Sequence, residues 1–301
     1  MASTAQRAQA PTALRAIALT TLTLIAFAAN SLLCRMALGG EHIDAASYTS
    51  LRLLSGAVTL WAIVTVMRNG AGAAPARGEG ARWLSAAMLF VYAIALSFAY
   101  LGLDTGIGAL ILFGCVQVTM IIGGMLRGHR PSALEWLGLA VAFAGLIYLV
   151  SPGLTAPDTS SALLMALSGI AWGVYSLRGQ GGGDPVVETS ANFVRAAPMA
   201  LLVSLTLLVA LPIESFHVNV AGAALAVLSG AVASGLGYVL WYAALKYLTA
   251  TRAAVVQLAV PVLAAVGGVL LLAEPVTARL VLASAVILGG VALAILGKRR
   301  P

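Results

Sequence analysis

Residues 219–245, NVAGAALAVLSGAVASGLGYVLWYAAL, run for 27 residues without a charged side chain. At about 1.5 Å of rise per residue, a helix of this length reaches about 40 Å. The hydrocarbon of a bilayer is about 30 Å thick, and helices of soluble domains average only about 10–14 residues. The stretch therefore reads as a transmembrane helix, and the rest of the chain agrees with it. Only 9% of the 301 residues are charged and 61% are hydrophobic, with a mean hydropathy of +1.00. A soluble domain carries about 25% charged residues.

Outward from this stretch, further apolar runs lie at 14–38, 46–67, 83–103, 105–126, 133–151, 160–178, 187–211, 253–273 and 277–297. The breaks hold turn residues or charges: Gly39-Gly40-Glu41, the segment Arg68 to Arg82, Gly128 to Pro131, Pro152-Gly153, Gly181 to Asp184 and Pro212. Two breaks, Asp104-Thr105-Gly106 and Glu274-Pro275, are short enough to predict hairpins of neighbouring helices. Arg15 precedes the first run in the manner of a secretory signal, but the run exceeds the 7–15 residues or so of a signal core, so it too reads as a span.

Charge gives an orientation. Thirteen of the 17 Lys and Arg residues, among them Arg68, Arg77, Arg82, Arg127, Arg130, Arg178, Lys246 and Arg252, fall on the side that holds both termini. The opposite loops carry Arg279 and the acids Glu41, Asp44, Asp104, Asp158, Glu214 and Glu274. The positive-inside rule then predicts cytoplasmic N- and C-termini in a multi-pass protein of the bacterial inner membrane. The net charge of +7 is spread over short loops and not gathered on one face, which excludes a nucleic-acid partner. Cys34 and Cys115 lie in apolar stretches without metal-ligand spacing, so neither a metal nor a disulfide framework is expected.

The chain also repeats itself. Arg35 and Arg178 lie 143 residues apart, as do Arg52 and Arg195. Gly123-Gly124 and Gly267-Gly268, Pro131 and Pro275, and Gly145 and Gly289 match at a shift of 144, and Tyr100 and Tyr242 at 142. A repeat of this length holds five spans, and an odd number turns the second copy upside down. The expected architecture is all-α: ten transmembrane helices as two inverted five-helix repeats, residues 1–152 and 153–301, around a central cavity. Inverted repeats of this kind are the layout of many secondary transporters, with the substrate near the bilayer midplane.

The two halves, the arginine early in each second helix (Arg52, Arg195), and the segments Tyr242-Ala-Ala-Leu-Lys246, Pro261, Leu271-Leu-Ala-Glu274-Pro275 and Gly289-Gly290 resemble the EamA branch of the drug/metabolite transporter superfamily. The resemblance covers essentially the whole chain. The first half departs from it, with Gln117 where the family often has proline and Arg130 where it often has glutamate. Within the branch the chain is most similar to the bacterial aromatic amino acid exporters of the YddG type. This resemblance implies export of aromatic and other neutral amino acids by alternating access, with broad specificity. It implies no cofactor and no obligate protein partner beyond substrate and bilayer.

Candidate substrate contacts are the polar and aromatic residues at depth. Asn30 and Ser31 sit deep in the first span. Trp172 and Tyr175 share one face of the sixth, flanked by Gly169 and Gly173, which let a backbone or a ligand approach. Tyr238 and Trp241 share a face of the eighth, and Tyr92 and Tyr100 lie in the third. Such rings can stack on a side chain or hold an ammonium. Tyr100 and Tyr242 lie near span ends, where an interfacial belt is expected. Gln117 and Gln257 offer neutral amides that both donate and accept. Pro261 removes a backbone donor and predicts a kink or gate, and Pro198 a second one. Arg35, Arg52, Arg178 and Arg195 lie within about two turns of helix ends, close enough to snorkel, though they are also candidates for a carboxylate.

No Asp or Glu falls in the middle of a span, and His42, His129 and His217 are in loops. Proton relays use such buried groups, so facilitated export is favoured over proton antiport. A cationic-drug antiporter is further weakened because the first span lacks the glutamate of the small four-helix multidrug relatives. The sequence also lacks a buried histidine base, a His-Glu-x-x-His motif and a phosphate-binding glycine loop, so no enzyme is expected. A different metabolite as cargo and a non-transporting scaffold or receptor are the other readings.

Overall fold

A computed structural model describes residues 2–68, 79–126, 132–151, 156–179, 184–245, 247, 256–257 and 259–296. Among these residues the structure is helical, with one isolated antiparallel bridge between Ile43 and Val218. Ten helices follow one another: α1 Ala2–Gly39, α2 Ala45–Arg68, α3 Glu79–Ala99, α4 Thr105–Leu126, α5 Ala133–Val150, α6 Thr159–Gly179, α7 Pro185–Ala210, α8 Val220–Leu245, α9 Ala259–Leu272 and α10 Ala278–Leu296. Six of them, in α1, α2, α4, α6, α7 and α8, are long and apolar enough to cross a membrane by length and composition. The described apolar parts of the other four, Trp83–Ala99, Ala133–Leu149, Ala259–Leu272 and Ala278–Gly290, are shorter. Large apolar side chains such as Leu202, Leu205, Val209 and Leu270 stand outward, the reverse of a water-soluble surface.

Helix starts follow from local capping. Ser132 and Glu135 form a reciprocal capping box at α5. Asp184 accepts from the amides of Val186 and Val187, with Pro185 at the first helical position, so α7 begins two residues before the apolar run does. Asn219 caps α8 through Gly222 N–H. Asp158 accepts from Ser160 Oγ and Ser161 N–H ahead of α6, and these bonds hold its carboxyl below the ordinary carboxylate range. The expected breaks at Gly128 to Pro131, Pro152-Gly153 and Gly181 to Gly183 lie outside the described residues.

The two short hairpins differ from expectation. The α3–α4 turn is Tyr100 to Asp104, and Thr105 and Gly106 already belong to α4. Its cap is tertiary: the Glu274 carboxylate, from the α9–α10 linker, accepts from Thr105 N (2.8 and 2.9 Å) and from Thr105 Oγ1 (2.7 Å). A carboxylate at a helix N-terminus also meets the positive end of the helix dipole. Neither α3 with α4 nor α9 with α10 packs along its length. Instead α3 packs on α6 and α7, α4 on α6 and α9, and α10 on α5. The α4–α6 contact depends on Gly169 and Gly173, which lie on Leu112 and Val116 carbonyls and on Cys115 and Thr119. The two glycines thus admit a helix backbone, as small-xxx-small spacing does in membranes.

The principal contacts come in matched pairs: α3 with α6 and α8 with α1, α4 with α6 and α9 with α1, α3 with α7 and α8 with α2. Three others, α2 with α7, α4 with α9 and α5 with α10, map onto themselves when each helix is exchanged for the one five further on. One end of the bundle is laced together. Asp44 N donates to His217 O and Asn219 N to His42 O. Arg279 bonds Ser151 O, and Arg35 reaches Tyr100 O (3.0 Å), Asp104 (3.6 Å) and Glu274 (3.8 Å).

Between α5 and α10, a Cβ added to Gly290 would lie 2.5 Å from Ala142 N and 2.7 Å from Gly138 O, both backbone atoms that cannot step aside. At Gly289 a Cβ meets nothing within 4 Å. Gly290→Ala is expected to lower the melting temperature of the detergent-purified protein, by the ~1–3 kcal/mol typical of overpacking. Gly289→Ala should leave it unchanged, and equal melting of the two variants would contradict this packing.

Candidate functional site

Inside the bundle, rings from four helices meet at Trp172. Its centroid lies 4.8 Å from Tyr92 of α3, 4.7 Å from Tyr238 of α8, 5.7 Å from Phe27 of α1 and 5.4 Å from Tyr175 of its own helix. Phe27 also meets Trp241 edge-on, and Phe193 of α7 meets Tyr238. The indole N–H of Trp172 has no hydrogen-bond partner among the described residues.

Beside these rings stands a polar layer. Asn30 Nδ2 donates to Ser234 Oγ (3.1 Å) and Tyr92 Oη (3.4 Å), and its Oδ1 accepts from Ser229 Oγ (2.5 Å). Ser229 and Ser234 are five residues apart, so on an α-helix they would point about 140° apart. Residues Ser229–Leu236 instead form a π-helical segment of α8, whose i→i+5 hydrogen bonds bring residues five apart onto one face. The wide turn thus aims both serines at one amide. Gly230, in the same segment, lies on the carbonyl of Arg52 and on Ser55 Oγ, so its lack of a side chain lets α2 and α8 approach closely.

Arg52 itself is turned inward and only 1% exposed. Nε donates to Ser234 Oγ (3.2 Å), Nη2 to Tyr92 Oη (3.1 Å) and Tyr238 Oη (3.4 Å), and the guanidinium lies 5.2 Å from the Tyr92 ring centroid. Snorkelling does not describe this residue, because its bonds are to groups in the middle of α3 and α8. Arg195, its counterpart in the repeat, lies over the exposed Trp83 ring at 5.8 Å and bonds Ala191 O. Arg178 donates to Ser85 Oγ.

Among these rings lies a cavity of about 10 Å³, bounded by Phe27, Asn30, Ser31, Tyr92, Leu112, Phe113, Trp172 and Tyr238, with room for about one water. A larger recess of about 520 Å³ opens at the laced end, between Arg35, Asp44, Phe98, Leu207, Phe216 and neighbouring residues.

Of the residues expected at the site, Asn30, Ser31, Tyr92, Trp172, Tyr175, Tyr238 and Trp241 come together here. Tyr100 does not: it is fully buried beside the α3–α4 turn, with Gly108 beneath its ring, and so belongs neither to an interfacial belt nor to this cluster. Tyr242 is half-buried against Gly179. Gln117 and Gln257 are each 1% exposed but form no part of the cavity wall. Pro261 lies in α9 and is buried. Pro198 lies inside α7.

Sequence reasoning missed Phe27, Ser229, Ser234 and the inward turn of Arg52. Phe27 was legible as one helical turn before Asn30 and Ser31. The serines were not, because an α-helical wheel separates them.

The Asn30–Ser229 bond should show as thermodynamic coupling. A double-mutant cycle of Asn30→Ala and Ser229→Ala, read by thermal unfolding, is expected to give ~0.5–3 kcal/mol of non-additivity. Strictly additive losses would mean that the two groups act separately.

A family model described as the EamA-like transporter family matches residues 159–296. An uncharacterised protein of Pseudomonas aeruginosa is 51% identical over 283 residues, spanning 93% of this chain and 94% of that protein. An uncharacterised transporter of Archaeoglobus fulgidus is 27% identical over 67% of this chain and 71% of its own length. The uncharacterised transporter YoaV of Bacillus subtilis is 22% identical over 85% of this chain and 89% of its own. A solved crystal structure shares the fold, with a TM-score of 0.63 at 21% identity over 93% of this chain and 99% of that one. With its apolar helices and this match, the chain is a multi-pass membrane protein with an EamA-like transporter family domain over residues 159–296.

Proposed function

We propose that this transporter exports amino acids, aromatic and other neutral ones, by alternating access and without obligatory proton coupling. The observation that carries the reading is the aromatic box around Trp172, with the neutral amide of Asn30 on its wall. Rings suit large apolar side chains, and an amide suits a zwitterion because it both donates and accepts. The matched helix contacts support two inverted five-helix halves, residues 1–152 and 153–301, which supply two equivalent conformations. The small size of the cavity between the rings fits an occluded state, from which movement of the halves would open the box to one side or the other. The acidic laced end faces outward in this reading. The arginine-rich linkers and both termini face the cytoplasm across the bacterial inner membrane.

Export of a cationic drug fits less well. Among the described residues the charge at the box is the positive one of Arg52, which repels a cation. Uncoupled transport is favoured because no carboxylate or histidine touches the polar layer among the described residues.

Purified protein in liposomes should move labelled phenylalanine, threonine or methionine, and flux no greater than in empty liposomes for all three would overturn the substrate assignment. Flux should persist without an imposed pH gradient, whereas a strict requirement for one would reveal proton coupling. Trp172→Ala should cut transport at least several-fold at unchanged expression, and unchanged transport would remove the indole from the site.

A further inference from the structure

Resting on the amino acid reading, we infer that Arg52 is the carboxylate-binding residue of this carrier and that its substrates are therefore carboxylates. The inference starts from charge. Arg52 is 1% exposed, and among the described residues it forms no ion pair. Its acceptors are three neutral hydroxyls, those of Ser234, Tyr92 and Tyr238. Nη1 is buried and has no acceptor among the described residues. An ionised side chain held out of water is costly unless it is paired, and arginine does not escape the cost by losing its proton. The ten acidic residues of the chain lie in loops or at helix ends, so none of the spans supplies the counter-ion.

Position supplies the second argument. Tyr92 and Tyr238, which hold Nη2, are themselves on the wall of the central cavity, as is Asn30, which shares Ser234 with Nε. The guanidinium is thus one side chain behind the substrate box. When Tyr92 and Tyr238 part to admit a ligand, Nη2 loses its phenol acceptors and, with the unpartnered Nη1, is left to donate to the ligand. Two parallel N–H groups of a guanidinium match the two oxygens of a carboxylate, and a charge-assisted pair is about twice as strong as the neutral bonds it replaces. The apolar remainder of the ligand then lies among Phe27, Trp172 and Trp241, and an α-ammonium can face the ring of Trp172 or the Asn30 carbonyl. The counterpart Arg195 stacks on an exposed Trp83 and bonds its own helix, so the chain has one such anchor and not a symmetric pair.

Four probes that share a phenyl ring separate the possibilities: L-phenylalanine, 3-phenylpropionate, phenylalaninamide and phenethylamine. Each is titrated against the purified full-length protein, with thermal unfolding as the readout. Both carboxylates should raise the melting temperature of the wild type, while phenylalaninamide and phenethylamine should not. Arg52→Gln should weaken the apparent affinity for the carboxylates by on the order of tenfold or more, the size of a lost hydrogen bond to a charged group. Arg52→Lys should keep part of it. Undiminished carboxylate binding in Arg52→Gln, equal protection by phenethylamine, or no protection by either carboxylate would overturn the inference. Should Arg52→Gln fail to fold, the wild-type preference for 3-phenylpropionate over phenethylamine decides alone. Protection by 3-phenylpropionate without protection by L-phenylalanine would sink the amino acid reading and leave the carboxylate anchor standing.

Discussion

Polar groups inside a membrane-spanning bundle must find their hydrogen bonds within the protein, because hydrocarbon offers none. The interior of this transporter is arranged around that requirement. The buried amide of Asn30 reaches Ser229, Ser234 and Tyr92, from α1 to α8 and α3. Arg52 joins the same hydroxyls from α2. Four helices are thereby fixed relative to one another by one layer of side chains. The π-helical segment of α8 is explicable in the same terms, since a regular helix would leave one of its two serines without the amide.

The aromatic box inherits its geometry from this layer. Tyr92 and Tyr238 belong to both: their hydroxyls hold Arg52 while their rings face Trp172. A change in the polar layer therefore moves the walls of the box, and a ligand in the box must act on the polar layer. Such coupling suits a carrier, where occupancy has to bear on which way the site opens.

The matched contacts between halves contrast with unmatched chemistry at the two ends. At one end Arg35, Asp104 and Glu274 join the α3–α4 turn to the α9–α10 linker, and the carboxylate of Glu274 closes the first turn of α4. Gly268 leaves the room that this carboxylate occupies, while its counterpart Gly124 faces open space. In the repeat register the counterparts of Arg35 and Glu274 are Arg178 and Arg130, two cations, so the same clasp cannot form at the other end.

How much of this was legible in the sequence depended on whether the signal was local. Run length and the absence of charge marked stretches that are helical in the structure, six of them long and apolar enough to cross a membrane, since bilayer thickness and backbone hydrogen bonding leave such a chain little choice. Residue types at helical spacing also named most of the box: Asn30, Ser31, Tyr92, Trp172, Tyr175, Tyr238 and Trp241. Three features were decided only in three dimensions. Arg52 lies two turns inside its helix, a position that allows either snorkelling or burial, and only the neighbours of α2 turn it inward. Tyr100 looked interfacial until the α3–α4 turn folded over it, and Ser229 and Ser234 share a face only because α8 widens against Asn30. Span and composition are properties of a chain in its solvent and can be read along it, whereas the direction of a side chain with two permitted surroundings is set by the helices that pack against it.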